Sequence, residues 1–164
     1  MSHRIPPIVG EQIRRVYVPG LIDVEEDPDE ILPFVIAVFL MTRSMKFVIR
    51  LDGQTNLMQM EVVNEFLFSF QFELEDNHTE CLIDVGCLVF RSLRSGQGTH
   101  IRDAKCFIGC NADGLPCCGA IELTTQSNEV LFFHSLSFDG IQMGEADERT
   151  HWFASVPHWR TSDW

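Results

Sequence analysis

The sequence predicts an all-β fold, a single-domain antiparallel β-sandwich or barrel whose strands are joined by hairpin and meander connections. Apolar and polar residues alternate with period two over long stretches, as side chains do on the two faces of a strand. The candidate strands are short and are separated by turn signals such as DGQTN, RSGQG and TQSN. The length of 164 residues fits one domain, so we predict a single β domain over residues 1–164.

Taken in chain order, residues 1–30 are expected to form an N-terminal extension that includes an acidic, proline-broken loop, DVEEDPDE, at Asp23–Glu30. A β core follows over residues 31–144, and residues 145–164 form a Trp-rich C-terminal tail. Seven stretches of the core are predicted as strands, namely Phe34–Met41, Lys46–Leu51, Met58–Glu75, Cys81–Phe90, Lys105–Ile108, Cys118–Thr124 and Val130–Phe138.

The clearest alternation lies between Met58 and Glu75. The apolar residues on even positions are Met58, Met60, Val62, Phe66, Phe68, Phe70, Phe72 and Leu74. A straight strand of this length would span roughly 60 Å, which is too long for the domain, so we predict a turn near Asn64. We expect the even positions to share one buried face on both sides of that turn.

Charge and hydropathy limit the function classes. The chain carries 24 acidic and 12 basic residues, a net charge of −12, which argues against generic nucleic-acid binding and is compatible with a basic protein partner. The N-terminus lacks the basic-then-apolar layout of a signal peptide. The longest apolar run, FVIAVFLM, is far shorter than the ~20 residues of a membrane span. We therefore expect a soluble intracellular protein of the cytoplasm or nucleus, with no membrane contact and with reduced cysteines.

Four of the six cysteines lie in the segment CFIGCNADGLPCCGAI, residues 106–121. A structural zinc site is one interpretation, with ligands drawn from Cys106, Cys110, one of Cys117 or Cys118, and His100 or His134. The first pair has CxxxC rather than CxxC spacing, and adjacent cysteines of a strand point in opposite directions. The interpretation we favour is that Cys81, Cys87, Cys106 and one of Cys117 or Cys118 are small buried apolar residues. A disulfide among Cys106, Cys110 and Cys117 would require exposure to an oxidant.

A different interpretation follows from GLPCCGAIELTTQSNEVLFFHSLSFDG, residues 114–140, which resembles the nucleophile loop of viral chymotrypsin-like cysteine peptidases. The resemblance implies that Cys118 is the nucleophile, that nearby backbone N–H groups form an oxyanion hole, and that His134 lines a substrate pocket. That family takes its general base from a histidine well upstream of the nucleophile. This chain departs from the family there, because no histidine occurs between His3 and His78. An inactive relic of such a peptidase is the corresponding alternative.

Two segments are candidate binding surfaces. All three tryptophans, Trp152, Trp159 and Trp164, lie in the tail, where they are expected to dock either on the chain's own body or on a neighbouring molecule. The segment RSLRSGQGTHIRDAK, residues 91–105, is locally basic and contains Arg91, Arg94 and Arg102 in an otherwise acidic chain. It is expected to contact an anion or an acidic patch, including one on a second copy.

From these patterns we expect a non-enzymatic protein–protein interaction or assembly protein of accessory or structural type. The resemblance to viral peptidases suggests a viral setting. The protein is expected to self-associate, or to dock on a protein partner, through its Trp-rich tail and its sheet edges. No cofactor is expected, except zinc if the domain is regulatory and metal-stabilised. The cysteine peptidase with Cys118 as nucleophile is the second alternative.

Overall fold

A computed structural model describes residues 6–23, 31–52, 57–68, 78–110, 116–137, 140–155 and 160–162. The strands in this part of the chain are β1 (Gln12–Asp23), β2 (Ile31–Pro33), β3 (Ala37–Thr42), β4 (Lys46–Leu51), β5 (Met58–Val63), β6 (His78–Asp84), β7 (Thr99–Cys110), β8 (Pro116–Thr125), β9 (Val130–Ser137), β10 (Gly140–Gly144) and β11 (Arg160–Ser162). The helices are α1 (Gly86–Val89), a 3-10 helix (Arg91–Ser95) and α2 (Ala146–Ser155). None of the described helices has the length and apolar character needed to cross a membrane.

The strands form one antiparallel sheet in the order β10-β9-β8-β7-β1-β3-β4-β5, and the predicted all-β antiparallel class is confirmed. Strands β2 and β6 also pair with β1, and β11 pairs with β7. β1 is therefore the centre of the fold, because it pairs with β2, β3, β6 and β7. This central strand lies within residues 1–30, the predicted N-terminal extension.

The main core draws residues from both halves of the strand order. Its most deeply buried side chains include Ile13, Val38, Phe47, Ile49, Ile101, Leu123 and Phe133. β5 contacts β8, and β10 contacts β3 and β4, so strands far apart in the order approach each other over this core. Each fully buried side chain of this size contributes about 1.5–3 kcal/mol of hydrophobic stabilisation, and the core fixes the β7–β8 hairpin on which the cysteines lie.

The prediction that one buried face continues through the Met58–Glu75 stretch fails beyond Met60, since Val62 is already 48% exposed. Met58 and Met60 lie in the main core, as predicted. The strand ends at Val63, and the rings of Phe66 and Phe68 then pack against Phe39 on the opposite face of the sheet, at centroid distances of 4.9 and 6.3 Å. The predicted positions Phe70, Phe72 and Leu74 lie outside the described residues.

Two helical segments were not predicted from the sequence. β6 ends at Asp84, whose Oδ1 accepts a hydrogen bond from the Gly86 N–H at 3.0 Å, and the chain then turns into α1 instead of continuing as a strand to Phe90. The tail forms α2, with Asp147 and Glu148 in its first turn, where acidic side chains favour a helix N-terminus. The helical phase of α2 decides which residues of the tail face the sheet.

Candidate functional site

The cysteine segment forms the β7–β8 hairpin. Cys106 and Cys118 are joined by a disulfide with their Cα atoms 6.1 Å apart, and both lie in the main core. The pairing register shifts after Phe107, so Gly119 lies in a β-bulge that turns Cys118 to the same face as Cys106. The expectation that these two cysteines are separate reduced thiols is therefore wrong for this structure.

The predicted zinc ligands are not brought together among the described side chains. Cys117 is buried, but as the strand neighbour of Cys118 it points to the opposite face. His100 is exposed and lies six residues from Cys106 along β7, roughly 20 Å away. The side chain of Cys110 is outside the described set. No cluster of three or more His, Cys, Asp or Glu side chains with metal-binding geometry occurs in the part of the chain that is described.

Cys118 and His134 do not form a catalytic pair. Cys118 faces the main core, where its sulfur is bonded to Cys106. His134 is buried on the other face of the sheet, where its Nε2 lies 2.8 Å from Glu148 Oε1 of α2 and its ring lies 5.8 Å from that of Phe132. The nucleophile and pocket roles that the peptidase resemblance implies are therefore not supported by the positions of these two side chains.

The tryptophan tail docks on its own sheet through Trp152. This side chain is 2% exposed and makes edge-to-face contacts with Phe107 and Phe132, with ring centroids 5.9 and 5.6 Å away. Phe153 packs against the same cluster. Trp152 is thus an internal anchor of α2, which is the self-docking alternative. The other tryptophans, Trp159 and Trp164, lie outside the described residues.

One ion pair and one hydrogen bond hold α2 to the same face of the sheet. Arg149 Nη1 donates to Glu122 Oε2 at 2.8 Å, and the Glu122 side chain is only 2% exposed. One residue earlier on the helix, Glu148 contacts the buried His134 at 2.8 Å. Burial of a carboxylate requires such a partner, because an unpaired charge in the interior is costly. These charged groups are therefore used in helix docking.

The predicted arginines, by contrast, converge at the surface. Arg91 and Arg94 line a cleft of about 340 Å³ between the 3-10 helix and the β8–β9 turn, together with Asn128 and Glu129. The Arg102 guanidinium donates a hydrogen bond to the Asn128 side-chain oxygen at the rim of this cleft. All three arginines are exposed. We call this the arginine cleft.

Glu129 fixes the arginine cleft in place. Its carboxylate accepts hydrogen bonds from the backbone N–H groups of Arg91 and Ser92, at 2.6 and 3.3 Å, and from the hydroxyls of Ser92 and Ser127, at 2.6 and 3.0 Å. Burial is the largest single influence on Glu129 and raises its pKa, but these hydrogen bonds together outweigh it and lower the pKa. The ionised carboxylate thus joins the 3-10 helix to the β8–β9 turn.

Two further arginines, which the sequence analysis did not identify, lie near residues 86–97. Arg14 and Arg15 of β1 line a second cleft, of about 520 Å³, on the other side of residues 86–97. Arg15 Nη1 contacts Asp84 Oδ2 at 2.7 Å, while Arg14 is exposed. The two adjacent arginines are visible in the sequence as a local basic pair. Their position near the 3-10 helix is not visible there, because it depends on the pairing of β1 with β6. Positive charge is therefore concentrated at one end of β1.

The arginine cleft has the chemistry to bind carboxylates. Guanidinium groups bind carboxylates through paired hydrogen bonds, and Leu88, which is 75% exposed, adds an apolar contact at the arginine cleft. Comparisons with protein-family models, with curated proteins and with solved structures each gave no match to this chain. The candidate function therefore depends on the geometry of the site alone.

Proposed function

We propose that the protein is a non-enzymatic assembly protein that works through protein–protein contacts, with its arginine cleft receiving an acidic segment of a second copy. The observation that carries this proposal is that Arg91 and Arg94 line one cleft, with Arg102 bonded to Asn128 at its rim, in a chain of net charge −12. In such a chain, most of the remaining surface is negative and repels an acidic ligand, whereas the basic site attracts it. The basic site therefore selects ligands that present acidic groups over a short length.

The acidic segment Asp23–Glu30 has the chemistry to occupy the cleft. It carries six acidic residues in eight positions. It follows the end of β1 that is farther from Arg14 and Arg15, so most of this 12-residue strand, roughly 30 Å, separates the two charges. We therefore take the acidic segment of a second copy as the occupant of the arginine cleft.

Contact between unlike surfaces of identical chains is heterologous, and repetition gives rings or open chains. The contact is electrostatic and lies at the surface, so its strength falls as the Debye length shortens from ~10 Å at 0.1 M salt to ~3 Å at 1 M. The cleft is preorganised by Glu129, which reduces the loss of conformational freedom on binding. This is a weak and reversible form of assembly.

The Trp-rich tail has a different place in this proposal. Trp152 anchors α2 internally, so a partner contact by the tail would have to involve Trp159 and Trp164. The zinc-stabilised domain and the cysteine peptidase remain alternatives that no described contact favours, because their residues face different sides of the sheet or are disulfide-bonded. Protein contact is the function that the exposed groups support best.

Sedimentation velocity at 20 and 500 mM NaCl tests the proposal, using the wild type and the double variant Arg91→Glu/Arg94→Glu. The wild type is expected to form oligomers at low salt that dissociate at high salt, and the variant to remain at its smallest species under both conditions. Arg50→Glu is the matched control, since Arg50 is an exposed cation on β4, away from the arginine cleft. It is expected to behave as the wild type does.

A second measurement identifies the occupant. A fluorescein-labelled peptide with the sequence DVEEDPDE is titrated with the protein, and its anisotropy is followed. Binding is expected for the wild type and for Arg50→Glu but not for Arg91→Glu/Arg94→Glu. If the arginine variant binds the peptide as well as the wild type does, or forms the same salt-dependent oligomers as the wild type, the arginine cleft is not the docking site.

A further inference from the structure

Strand β6 (His78–Asp84) forms an edge of the described sheet. It pairs with β1 alone among the described strands, in a register without a shift. The Val85 N–H donates to the Val16 carbonyl oxygen at 2.8 Å, and the same register continues through the strand, so odd-numbered residues direct their backbone groups at β1. The N–H and C=O groups of Glu80, Leu82 and Asp84 therefore point to the outer side of the edge.

This edge lacks most of the features that prevent pairing with another chain. Its sequence, HTECLID, contains no proline and no lysine, and no bulge interrupts it. Leu82, in the second half of the strand, is 38% exposed. Pro19, which cannot donate a hydrogen bond, lies opposite Leu82 at a position whose backbone groups face away from β6. The β1–β6 ladder is therefore complete on its inner side while the outer side offers a regular set of donors and acceptors.

We propose that β6 pairs antiparallel with β6 of a second copy, about a twofold axis that passes beside Cys81. The two sheets then become one continuous sheet across an isologous interface. Glu80 and Leu82 of each strand supply the central backbone groups, which allows about four inter-strand hydrogen bonds. This proposal goes beyond the arginine cleft, since it concerns another surface and a contact between like elements.

Charge selects the register. Because the outward groups belong to even-numbered residues, the twofold axis has to lie beside a residue position, and three registers give the largest overlap. The axis at Glu80 places two Glu80 carboxylates opposite each other, and the axis at Leu82 places Glu80 opposite Asp84 twice. The axis at Cys81 places Glu80 opposite Leu82 and Asp84 opposite His78. Like charges directly opposite each other disfavour pairing, so only the Cys81 register avoids this penalty.

The same register brings the two Cys81 residues together. Cys81 directs its backbone groups at β1, so the two copies of Cys81 form a pair without mutual hydrogen bonds, in which Cα atoms are ~4.5 Å apart. This separation lies within the range of disulfide bonds, about 4.4–6.8 Å. Burial raises the pKa of the Cys81 thiol, which keeps it protonated at neutral pH and slows oxidation by air. The pair is a built-in reporter of the contact.

The test uses copper–phenanthroline as oxidant at pH 8.5. Two copper(II) ions accept the two electrons, and the buffer accepts the two protons, as the S–S bond forms between the two thiols. Wild-type protein at about 50 µM is expected to give a covalent dimer, of twice the 18.8 kDa chain mass, linked through Cys81 in peptide mass spectra. Cys87 is exposed, so it serves as the control for random collision. Cys87→Ser is expected to retain the dimer, and Cys81→Ser to lose it.

Charge variants test the register without oxidant. Leu82→Glu places two pairs of like charges opposite each other and is expected to weaken dimerisation about tenfold in sedimentation equilibrium. Adding Glu80→Lys to Leu82→Glu creates opposite charges across the axis and is expected to restore it. Both side chains are exposed, and an unchanged thermal midpoint in each variant shows that the fold is intact.

The proposal is overturned if no Cys81 link forms at this concentration, or if Leu82→Glu forms the link and the dimer as the wild type does. Its failure is distinguishable from that of the proposed function. Arg91→Glu/Arg94→Glu is expected to leave the Cys81 dimer unchanged, and Leu82→Glu is expected to leave binding of the DVEEDPDE peptide unchanged.

Discussion

The docking of α2 on the sheet depends on the Glu122–Arg149 ion pair, and removing one partner is a direct test of it. The Glu122 side chain is 2% exposed and Arg149 is 38% exposed, with Nη1 and Oε2 2.8 Å apart. Breaking a buried pair typically costs 3–5 kcal/mol, because the remaining charge loses its partner and has little access to water. Arg149 is partly hydrated, so we expect Arg149→Met to cost about 2–3 kcal/mol of unfolding free energy.

The double variant distinguishes pairing from packing. Glu122→Leu/Arg149→Met removes both charges and replaces them with apolar groups of similar size, a change that is often neutral for a buried pair. We expect the double variant to be more stable than Arg149→Met alone, with a coupling energy on the order of 2 kcal/mol. Urea unfolding followed by far-UV circular dichroism measures all the variants, and a constant m-value shows that the two-state analysis applies.

An exposed ion pair supplies the control for this comparison of single and double variants. Arg50 and Glu61 join β4 and β5 at 2.8 Å, but their side chains are 51% and 45% exposed. Arg50→Met is expected to change stability by no more than about 0.5 kcal/mol, because hydrated pairs contribute little. The docking of α2 by this ion pair is refuted if Arg149→Met costs no more than Arg50→Met. It is also refuted if the costs of Glu122→Leu and Arg149→Met add up to the cost of the double variant.

Three further predictions concern the anchor of α2, the clamp of the arginine cleft and the disulfide. Trp152→Ala is expected to cost about 3–5 kcal/mol in urea unfolding, and the partly buried Phe153→Ala clearly less; equal costs would contradict the edge-to-face cluster. Glu129→Gln is expected to cost on the order of 1–2 kcal/mol at pH 7. The pKa of Glu129 is lower in the folded than in the unfolded protein, where it is near 4.5. The stability difference between wild type and Glu129→Gln should therefore be present above pH 4.5 and shrink as the pH falls below that value. A stability difference that grows towards acid pH would refute the role of Glu129 as a clamp. Iodoacetamide in guanidinium without reductant should leave Cys106 and Cys118 unlabelled, and labelling of Cys106 would exclude the disulfide. Reduction should lower the free energy of unfolding by about 3 kcal/mol in the wild type and leave it unchanged in Cys106→Ala/Cys118→Ala.

The alternation of apolar and polar residues predicted those strands that pair with the strands next to them in the sequence. β4 matches its predicted bounds, and β8 and β9 begin within two residues of theirs. β1 shows where this signal is insufficient. A register shift near Arg15 breaks its alternation, and Pro19 and Gly20 argue against a central strand. Pro19 is accommodated because its missing N–H faces β2, where the Phe34 N–H donates to the Pro19 carbonyl oxygen at 2.9 Å. That partner is fixed only by the tertiary pairing.

The candidate site was predictable in part. The basic composition of residues 91–105 identified Arg91, Arg94 and Arg102, since exposed charge is a local property of the sequence. Their convergence on Asn128 and Glu129 depends on the β7–β8–β9 register, which a pattern of side chains does not determine. The helical phase of α2 was likewise unpredicted, and it decides that Trp152 faces the sheet. The direction of each side chain, rather than its type, was the missing information.

The distribution of partners across the molecule explains why contact rather than catalysis is proposed. A nucleophile and a base have to face a common cavity that substrate can enter. Here the bulge at Gly119 turns Cys118 into the core, while Glu148 holds His134 on the other face. Their fixed positions stabilise the sheet and its helix. Among the described residues, the arginines of the cleft are exposed and the outer side of β6 has no paired strand. Charge and backbone hydrogen bonding are forces by which one protein chain binds another, and both proposals are built on them.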